Sequence, residues 1–263
     1  VCALGEDAGG ALARQLAGAD GLALVAEASS EPTGTAGIYV DARGRNSIVI
    51  GAGANASLSD AFITAQSALI GKAGVLLAQL ESPVDTIEAA LTLAREAGVT
   101  TVLNPAPANA PSTISLLKLA DVLTPNETEF AALLGRHVGE RVESDDVAAL
   151  DGASLHDLCR KLSSATVVVT LGAVGVFVSH APERLRGDTQ PYYRIAAESV
   201  QAIDTTGAGD AFNGSLAASL ATAGDVPFAQ HVRFANRYAA RSTENEGAAL
   251  AMPRFTPADA EGK

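Results

Sequence analysis

Apolar residues along this chain recur in two rhythms that alternate from Gly74 onward. Short unbroken apolar runs, several rich in β-branched residues, read as buried strands: Gly74 to Leu80, Thr100 to Leu103, Val122 to Thr124, and Thr166 to Leu171 with the sequence Thr-Val-Val-Val-Thr-Leu. Between and around them, apolar positions three and four apart predict helices. These are Asp7 to Ala17, Ser59 to Leu69 with Ser59 as N-cap, Pro83 to Ala97, Glu127 to Leu134 closed by Gly135, Ser154 to Ser164, Ala211 to Ala223, and Phe228 to about Ser242. Pro83 suits a helix start, where a missing amide costs nothing. Alternating buried strands and helices imply right-handed crossovers and a mostly parallel sheet.

Two stretches depart from that rhythm. Thr35 to Val40 and Ser47 to Ile50 predict a hairpin around the charged turn Asp41 to Asn46. A lone hairpin is marginal in water, so further strands are expected to join it. Gly175 to Ser179 and Tyr192 to Ile195 predict a late antiparallel pair. Gly139 to Gly152 is acidic and reads as a surface connection, and the polar tail after Pro253 as a fraying end. Val1-Cys2-Ala3 reads as the end of a strand, so a preceding segment is expected. The fold class is α/β: a mostly parallel, Rossmann-like sheet flanked by helices.

Composition narrows the function. The chain is 48% hydrophobic and only 4% aromatic, which favours helices packed closely on a sheet over an all-β fold. Its formal charge is −12 with no run of Lys or Arg, so nucleic acid is not an expected partner. No apolar run approaches the length of a membrane span, and no membrane association is expected. The two cysteines, Cys2 and Cys159, lie far apart in sequence, match no metal spacing and point to a reducing, cytoplasmic setting. The four histidines match no catalytic or metal pattern and are read as surface or loop residues. The Gly-x-Ser-x-Gly elbow of a hydrolase and the G-x-G-x-x-G dinucleotide fingerprint are both absent.

The candidate chemistry gathers at strand ends. In open α/β sheets ligands collect beyond the carboxyl ends of the strands. Polar motifs fall at those ends in chain order: Gln79 to Pro83, Asn104 to Ala108, Thr124 to Glu129 and Thr170 to Gly175. The fifth stretch is Asp204-Thr205-Thr206-Gly207-Ala208-Gly209-Asp210-Ala211-Phe212-Asn213-Gly214. It runs from a small-residue turn into a helix with Phe212, Leu216 and Leu220 on one face. Helix-start amides lack internal partners and form an anion site. A carboxylate there, Asp210, makes sense if it accepts a proton from a group attacking a phosphate. The alternative is a glycine-rich turn with an N-cap aspartate.

Taken together these motifs resemble the ribokinase family, the phosphofructokinase-B-type carbohydrate kinases. Asp204 to Phe212 resembles the family's C-terminal signature, Gly51 to Asn55 its junction between lid and core, and the other rim motifs fall in family order over nearly the whole chain. The resemblance implies a ribokinase-like core over residues 1–33 and 52–263 and a β lid whose hairpin is 34–51. It also implies roughly 60 to 70 residues ahead of Val1, a span set by single domains of about 300 residues. Those residues would carry further lid strands and part of the sugar grip.

It implies an ATP-dependent sugar kinase, D-ribose to ribose 5-phosphate. Asp210 would be the general base and would touch the sugar; Gly207, Ala208 and Gly209 would form the anion hole; Glu81 would bind sugar hydroxyls. Asn126, Thr170, Gly172, Gly175, Gly209 and Asn236 would meet ATP. Glu129 would act on Mg²⁺ through water. A monovalent cation, K⁺, would lie by Asp204, Thr206, Ser242, Asn245, Gly247 and Ala251, with Ala251 departing from the serine often found there. Read without the family, Glu81 is an acid near a helix start, Asn126 an N-cap, Glu129 a solvated helix residue, and Thr170 to Gly175 a strand turn. A homodimer through the lid is expected, since an open sheet edge wants pairing. The alternatives are a sibling kinase for deoxyribose, another sugar or a nucleoside, and an inactive nucleotide-binding fragment.

Overall fold

The computed structural model describes residues 1–40 and 46–254. The chain opens with β1 (Cys2–Gly5), α1 (Ala8–Ala19) and β2 (Ala26–Ser29), then the hairpin β3 (Thr35–Val40) and β4 (Asn46–Gly51). A short 3₁₀ turn, Gly53–Ser57, leads into α2 (Asp60–Ala65) and α3 (Ser67–Ile70). The central run follows: β5 (Val75–Ala78), α4 (Val84–Glu96), β6 (Thr100–Leu103), α5 (Ile114–Lys118), β7 (Val122–Leu123), α6 (Glu127–His137), α7 (Ser144–Val147), α8 (Gly152–Leu162) and β8 (Thr166–Thr170). β9 (Val176–Ser179), β10 (Tyr192–Ile195), α9 (Ala208–Thr222) and α10 (Phe228–Ser242) complete it.

Six strands form one sheet in the order β10-β9-β8-β7-β6-β5. β5 through β8 run parallel, with β9 and β10 antiparallel at one edge. β1 and β2 pair in parallel as a separate ribbon, and among the described residues β3 and β4 pair only with each other. The pleat explains why β8 is a run of valines. Val167 and Val169 face a core with Leu103, Leu123, Phe130 and Leu155, under α4, α6 and α8. Val168 faces the other way, into a core with Val102, Val122, Phe212, Leu216 and Val232, under α9 and α10. Burying a side chain such as Leu216 contributes about 2 kcal/mol, and this face fixes α9 against the sheet.

The structure revises several boundaries. The helix expected over 59–69 is broken at Gln66 into α2 and α3, although Ser59 does cap it by accepting from Phe62 N–H. α6 runs through Gly135 to His137 and turns at Gly139, whose φ of +78° suits glycine. The acidic connection over 139–152 contains α7. β2 and α5 were outside the pattern: Ala-Glu-Ala-Ser lacks β-branched residues, and α5 is a single turn capped by Thr113. His180 and His231 are buried, contrary to a surface reading. His180 sits between Thr166 Oγ1 at 3.1 Å and Asp188 at 3.0 Å, and His231 meets Ser219 Oγ at 2.8 Å, so each imidazole is satisfied inside the fold. The predicted turn at 41–45 and the tail beyond 254 lie outside the described residues. Among the described residues no helix is long and apolar enough to cross a membrane.

Candidate active site

The carboxyl ends of β5, β6, β7 and β8 deliver Gln79, Asn104, Thr124 and Thr170 to one rim, and the start of α9 lies against it. Gly207 is the N-cap of α9, at φ +77°. A Cβ there would also meet Met252 Cε at 3.2 Å and Ala248 Cβ at 3.3 Å, so the turn demands glycine twice over. Gly209 differs: a Cβ would meet no protein atom within 4 Å, so nothing in the fold itself asks for glycine. Ala208 N–H donates to Thr205 C=O at 3.2 Å, which commits one amide of the expected anion hole inside the turn.

Asp210 is the third residue of α9 rather than its N-cap, which removes the capping alternative. Its exposed carboxylate accepts from Gln79 Nε2 at 3.0 Å. That bond opens a belt of polar contacts along the rim. Gln79 Nε2 lies 3.5 Å from Asn104 Oδ1, Asn104 Nδ2 donates to Thr124 C=O at 2.7 Å, and Thr124 Oγ1 donates to Asn213 Oδ1 at 2.5 Å. Asn213 Nδ2 then donates to Gly209 C=O at 2.9 Å, returning to the turn where the belt began. Sequence reasoning assigned no site role to Gln79, Asn104, Thr124 or Asn213. Gln79, Asn104 and Thr124 stood in motifs at strand ends, and Asn213 stood on the buried side of α9; their pairing across up to 131 positions was not visible locally.

Three carboxyl groups share this space. Burial pushes the Glu81 carboxyl above the usual carboxylate range even though its side chain reaches solvent, and the charge of Asp210 adds to the effect. Glu129 is buried and its carboxyl is also raised, by burial first and by Glu127 and Asp210 in smaller part. Asn126 N–H at 2.8 Å and Asn126 Nδ2 at 3.0 Å donate to the two Glu129 oxygens, while Glu129 N–H donates to Asn126 Oδ1 at 2.8 Å. This is a capping box, so the solvated alternative for Glu129 is overturned and the N-cap reading of Asn126 is met.

The remaining predicted residues fall into two groups. Thr170 N–H donates to Pro125 C=O at 3.0 Å, which places Thr170 beside Asn126. Gly172 and Gly175 have φ of +51° and +108°, and a Cβ at Gly175 would meet Ile195 O at 2.1 Å. Asn236 is buried and Nδ2 donates to Ala196 C=O at 2.8 Å, so it holds the segment that Gly175 abuts. The other group closes around Asp204. Its Oδ1 accepts from Thr206 N–H and its Oδ2 from Gly247 N–H, both at 2.9 Å, and the Thr206 hydroxyl first, then these amides, hold its carboxyl below the usual range. Ser242 Oγ donates to Ala239 C=O at 2.8 Å, Asn245 is exposed, and Ala251 is buried. A cavity of about 570 Å³ begins at Gln79 and Glu81 and follows β5 toward Asn55 and Cys2.

Comparison with known proteins identifies the family. The profile of the pfkB family carbohydrate kinases covers residues 1–254. A ribokinase from Haemophilus influenzae is 41% identical over 226 residues, covering 86% of this chain and 67% of that protein. A deoxyribokinase from Salmonella typhi is 32% identical over 221 residues, covering 84% of this chain and 66% of that protein. The chain thus spans about two thirds of the length of these relatives. The structure of Arabidopsis thaliana ribokinase complexed with ribose and ATP superposes with a TM-score of 0.78 at 29% identity, covering 96% of this chain and 78% of that one.

Proposed function

The chain belongs to the pfkB family of carbohydrate kinases, and from that premise we propose that it transfers the γ-phosphate of ATP to the primary hydroxyl of D-ribose, giving ribose 5-phosphate and ADP. As a member of that family it is a phosphotransferase with a sugar hydroxyl as acceptor. The observation that carries the reading is the position of Asp210, in the first turn of α9 with its carboxylate held toward the rim by Gln79.

In this reading the sugar hydroxyl donates its proton to Asp210 as its oxygen attacks phosphorus in line with the departing ADP oxygen. Phosphoryl transfer asks for positioning and charge stabilisation more than for a strong base. The backbone amides of Gly207 and Gly209 at the start of α9 receive the charge on the transferring group, while Ala208 N–H, engaged with Thr205 C=O, must turn from it to join them. Glu81 accepts from sugar hydroxyls and fixes the acceptor beside Asp210. Asn126 and Thr170 meet the phosphates, while Gly172, Gly175 and Asn236 shape the nucleotide side. The hairpin, residues 34–51, serves as a lid over the core of 1–33 and 52–263 and excludes water.

The donor set suits weakly held cations. Among the described residues no three acidic, His or Cys side chains group as a metal site, and the Glu129 oxygens already accept from Asn126. Mg²⁺ would therefore sit on the nucleotide phosphates, with Glu129 reached through water, and would supply neutralisation of phosphate charge. In this reading a monovalent cation would be held by Asp204, Thr206, Ser242, Asn245, Gly247 and Ala251, several of them through backbone carbonyls. Such a set fits K⁺, which would steady the turn ahead of α9. We place the enzyme in the cytoplasm. It would be a homodimer through the lid, whose Ile38, Tyr39, Val49 and Ile50 are exposed. Sedimentation of the chain and of Val49→Asp tests this; two monomeric samples would reject the dimer.

Deoxyribose is the second reading, favoured by the deoxyribokinase match. ATP consumption against a panel of pentoses separates them. Turnover with deoxyribose and none with ribose would overturn the first choice.

A further inference from the structure

At the other end of the sheet, where β6 and β7 begin, three arginines surround one aspartate. A cavity of about 480 Å³ is lined there by Arg95, Arg184, Arg186, Asp121 and residues 98–100. β6 is four residues long, so about 13 Å of sheet separates this end from the catalytic rim.

The charges do not balance. Asp121 Oδ1 lies 2.9 Å from Arg184 Nη1, 3.6 Å from Arg95 Nη1 and 3.9 Å from Arg186 Nη2. Asp121 Oδ2 is already committed, accepting from Thr101 N–H and Thr101 Oγ1, both at 3.1 Å. Asp121 is the one acid in the lining, so the cavity keeps two uncompensated positive charges in a chain whose net charge is −12. Glu96 and Glu183 adjoin Arg95 and Arg184 in sequence, yet neither lines the cavity.

The guanidinium groups are unequal. Arg186 is fixed: Nε donates to Thr166 Oγ1 and Nη2 to Asp121 C=O, both at 3.1 Å, and its guanidinium lies 5.8 Å from the Phe228 ring centre. Its φ of +51° is the one positive value outside glycine among the described residues, a conformation that is unfavourable for an L side chain. Arg95 and Arg184 reach solvent, with 37% and 53% of their side chains exposed. A basic residue in the last turn of α4 is ordinary support for a helix end. That accounts for Arg95 alone and leaves Arg184 and Arg186, on the β9–β10 connection, unexplained.

We propose that this cavity binds a phosphate group, held by Arg95 and Arg184 against Arg186 as a fixed wall. Paired guanidinium groups match the oxygens of a phosphate dianion in charge and in planar fork geometry. The volume exceeds that of bare phosphate and admits a phosphorylated small molecule.

The test is calorimetric titration of the chain with inorganic phosphate and, separately, with ribose 5-phosphate as a sugar phosphate probe. A non-hydrolysable ATP analogue is present throughout to cover the start of α9. The same titrations are run on Arg95→Gln/Arg184→Gln, after circular dichroism confirms its fold. Saturable binding is expected, weaker at high salt, and at least about tenfold weaker in the variant, since each charged hydrogen bond lost is worth roughly that factor. Equal affinity for the two probes identifies free phosphate as the ligand; tighter binding of the ester identifies an organic phosphate. Should the double variant unfold, Arg184→Gln, at the most exposed of the three side chains, gives the same contrast. Unchanged affinity in the variant, or no saturable binding of either probe, overturns the proposal.

Discussion

The polar belt makes Asn213 the residue that ties the start of α9 to the end of β7, and a double-mutant cycle measures that tie. Thr124 and Asn213 are 1% and 3% exposed. Asn213→Ala removes the acceptor of the Thr124 hydroxyl, leaving a buried donor stranded at about 1–3 kcal/mol, and loses the bond from Nδ2 to Gly209 C=O, worth about 1 kcal/mol. The sum is about 2–4 kcal/mol, or a fall in Tm of about 4–16 °C for a chain of this size. Thr124→Val strands Asn213 Oδ1 and costs about 1–3 kcal/mol for the same reason. Combined as Thr124→Val/Asn213→Ala, the two changes remove donor and acceptor together, so no buried group is stranded and the bond to Gly209 C=O is the main polar loss. The cycle should therefore show a coupling of at least about 2 kcal/mol, the two stranding costs that the double variant avoids, and the double variant should be more stable than the sum of the singles predicts. Urea unfolding with a common m-value is the assay. Strict additivity would show that the 2.5 Å contact does not carry the linkage.

Three further outcomes follow from the same site. Gly207→Ala forces an L residue to φ +77° against Ala248 and Met252, so it should lose about 1–2 kcal/mol of stability. Gly209→Ala meets no protein atom within 4 Å and should keep its Tm, yet lower turnover at least about tenfold if this backbone approaches a phosphate. A Gly209→Ala enzyme with full turnover would remove that role. For Glu81 the sign follows from its raised carboxyl: the folded chain holds the proton more tightly than the unfolded one. Its ionisation then opposes folding, and its share of stability falls as pH rises above the ordinary value of 4.5. Glu81→Gln should flatten that fall, seen as a smaller decrease in Tm from acid to neutral pH, while raising KM for the sugar. An unchanged pH dependence of Tm would show that Glu81 is not desolvated.

Much of the architecture was legible because it is local. The valine run of β8 and the apolar stretches of β5 and β6 announce buried parallel strands, and Phe212 and Leu216 mark the face that α9 lays on them. Asp210 and its glycine turn were legible for the same reason: seven adjacent residues hold the motif. What stayed hidden depends on partners distant in sequence. Gln79 and Asp210 meet across 131 positions, and Thr124 and Asn213 across 89, so no window along the chain contains either bond. Glu129 reads as a solvated helix residue until the fold buries it as a capping partner of Asn126. His180 looked peripheral because the strand that buries it and the aspartate that satisfies it come from different elements. β2 stayed invisible because pairing with β1 overrides its weak propensity.

The central claim is that Asp210 takes the proton from the sugar hydroxyl at the anion site of α9. Asp210→Asn keeps the side-chain size and removes the base. Nucleotide binding by titration and sugar-dependent ADP release should be measured on the same preparation. The account predicts a loss of turnover of about 10²- to 10⁴-fold with affinity for ATP nearly unchanged. A variant that retains most of its turnover would contradict it.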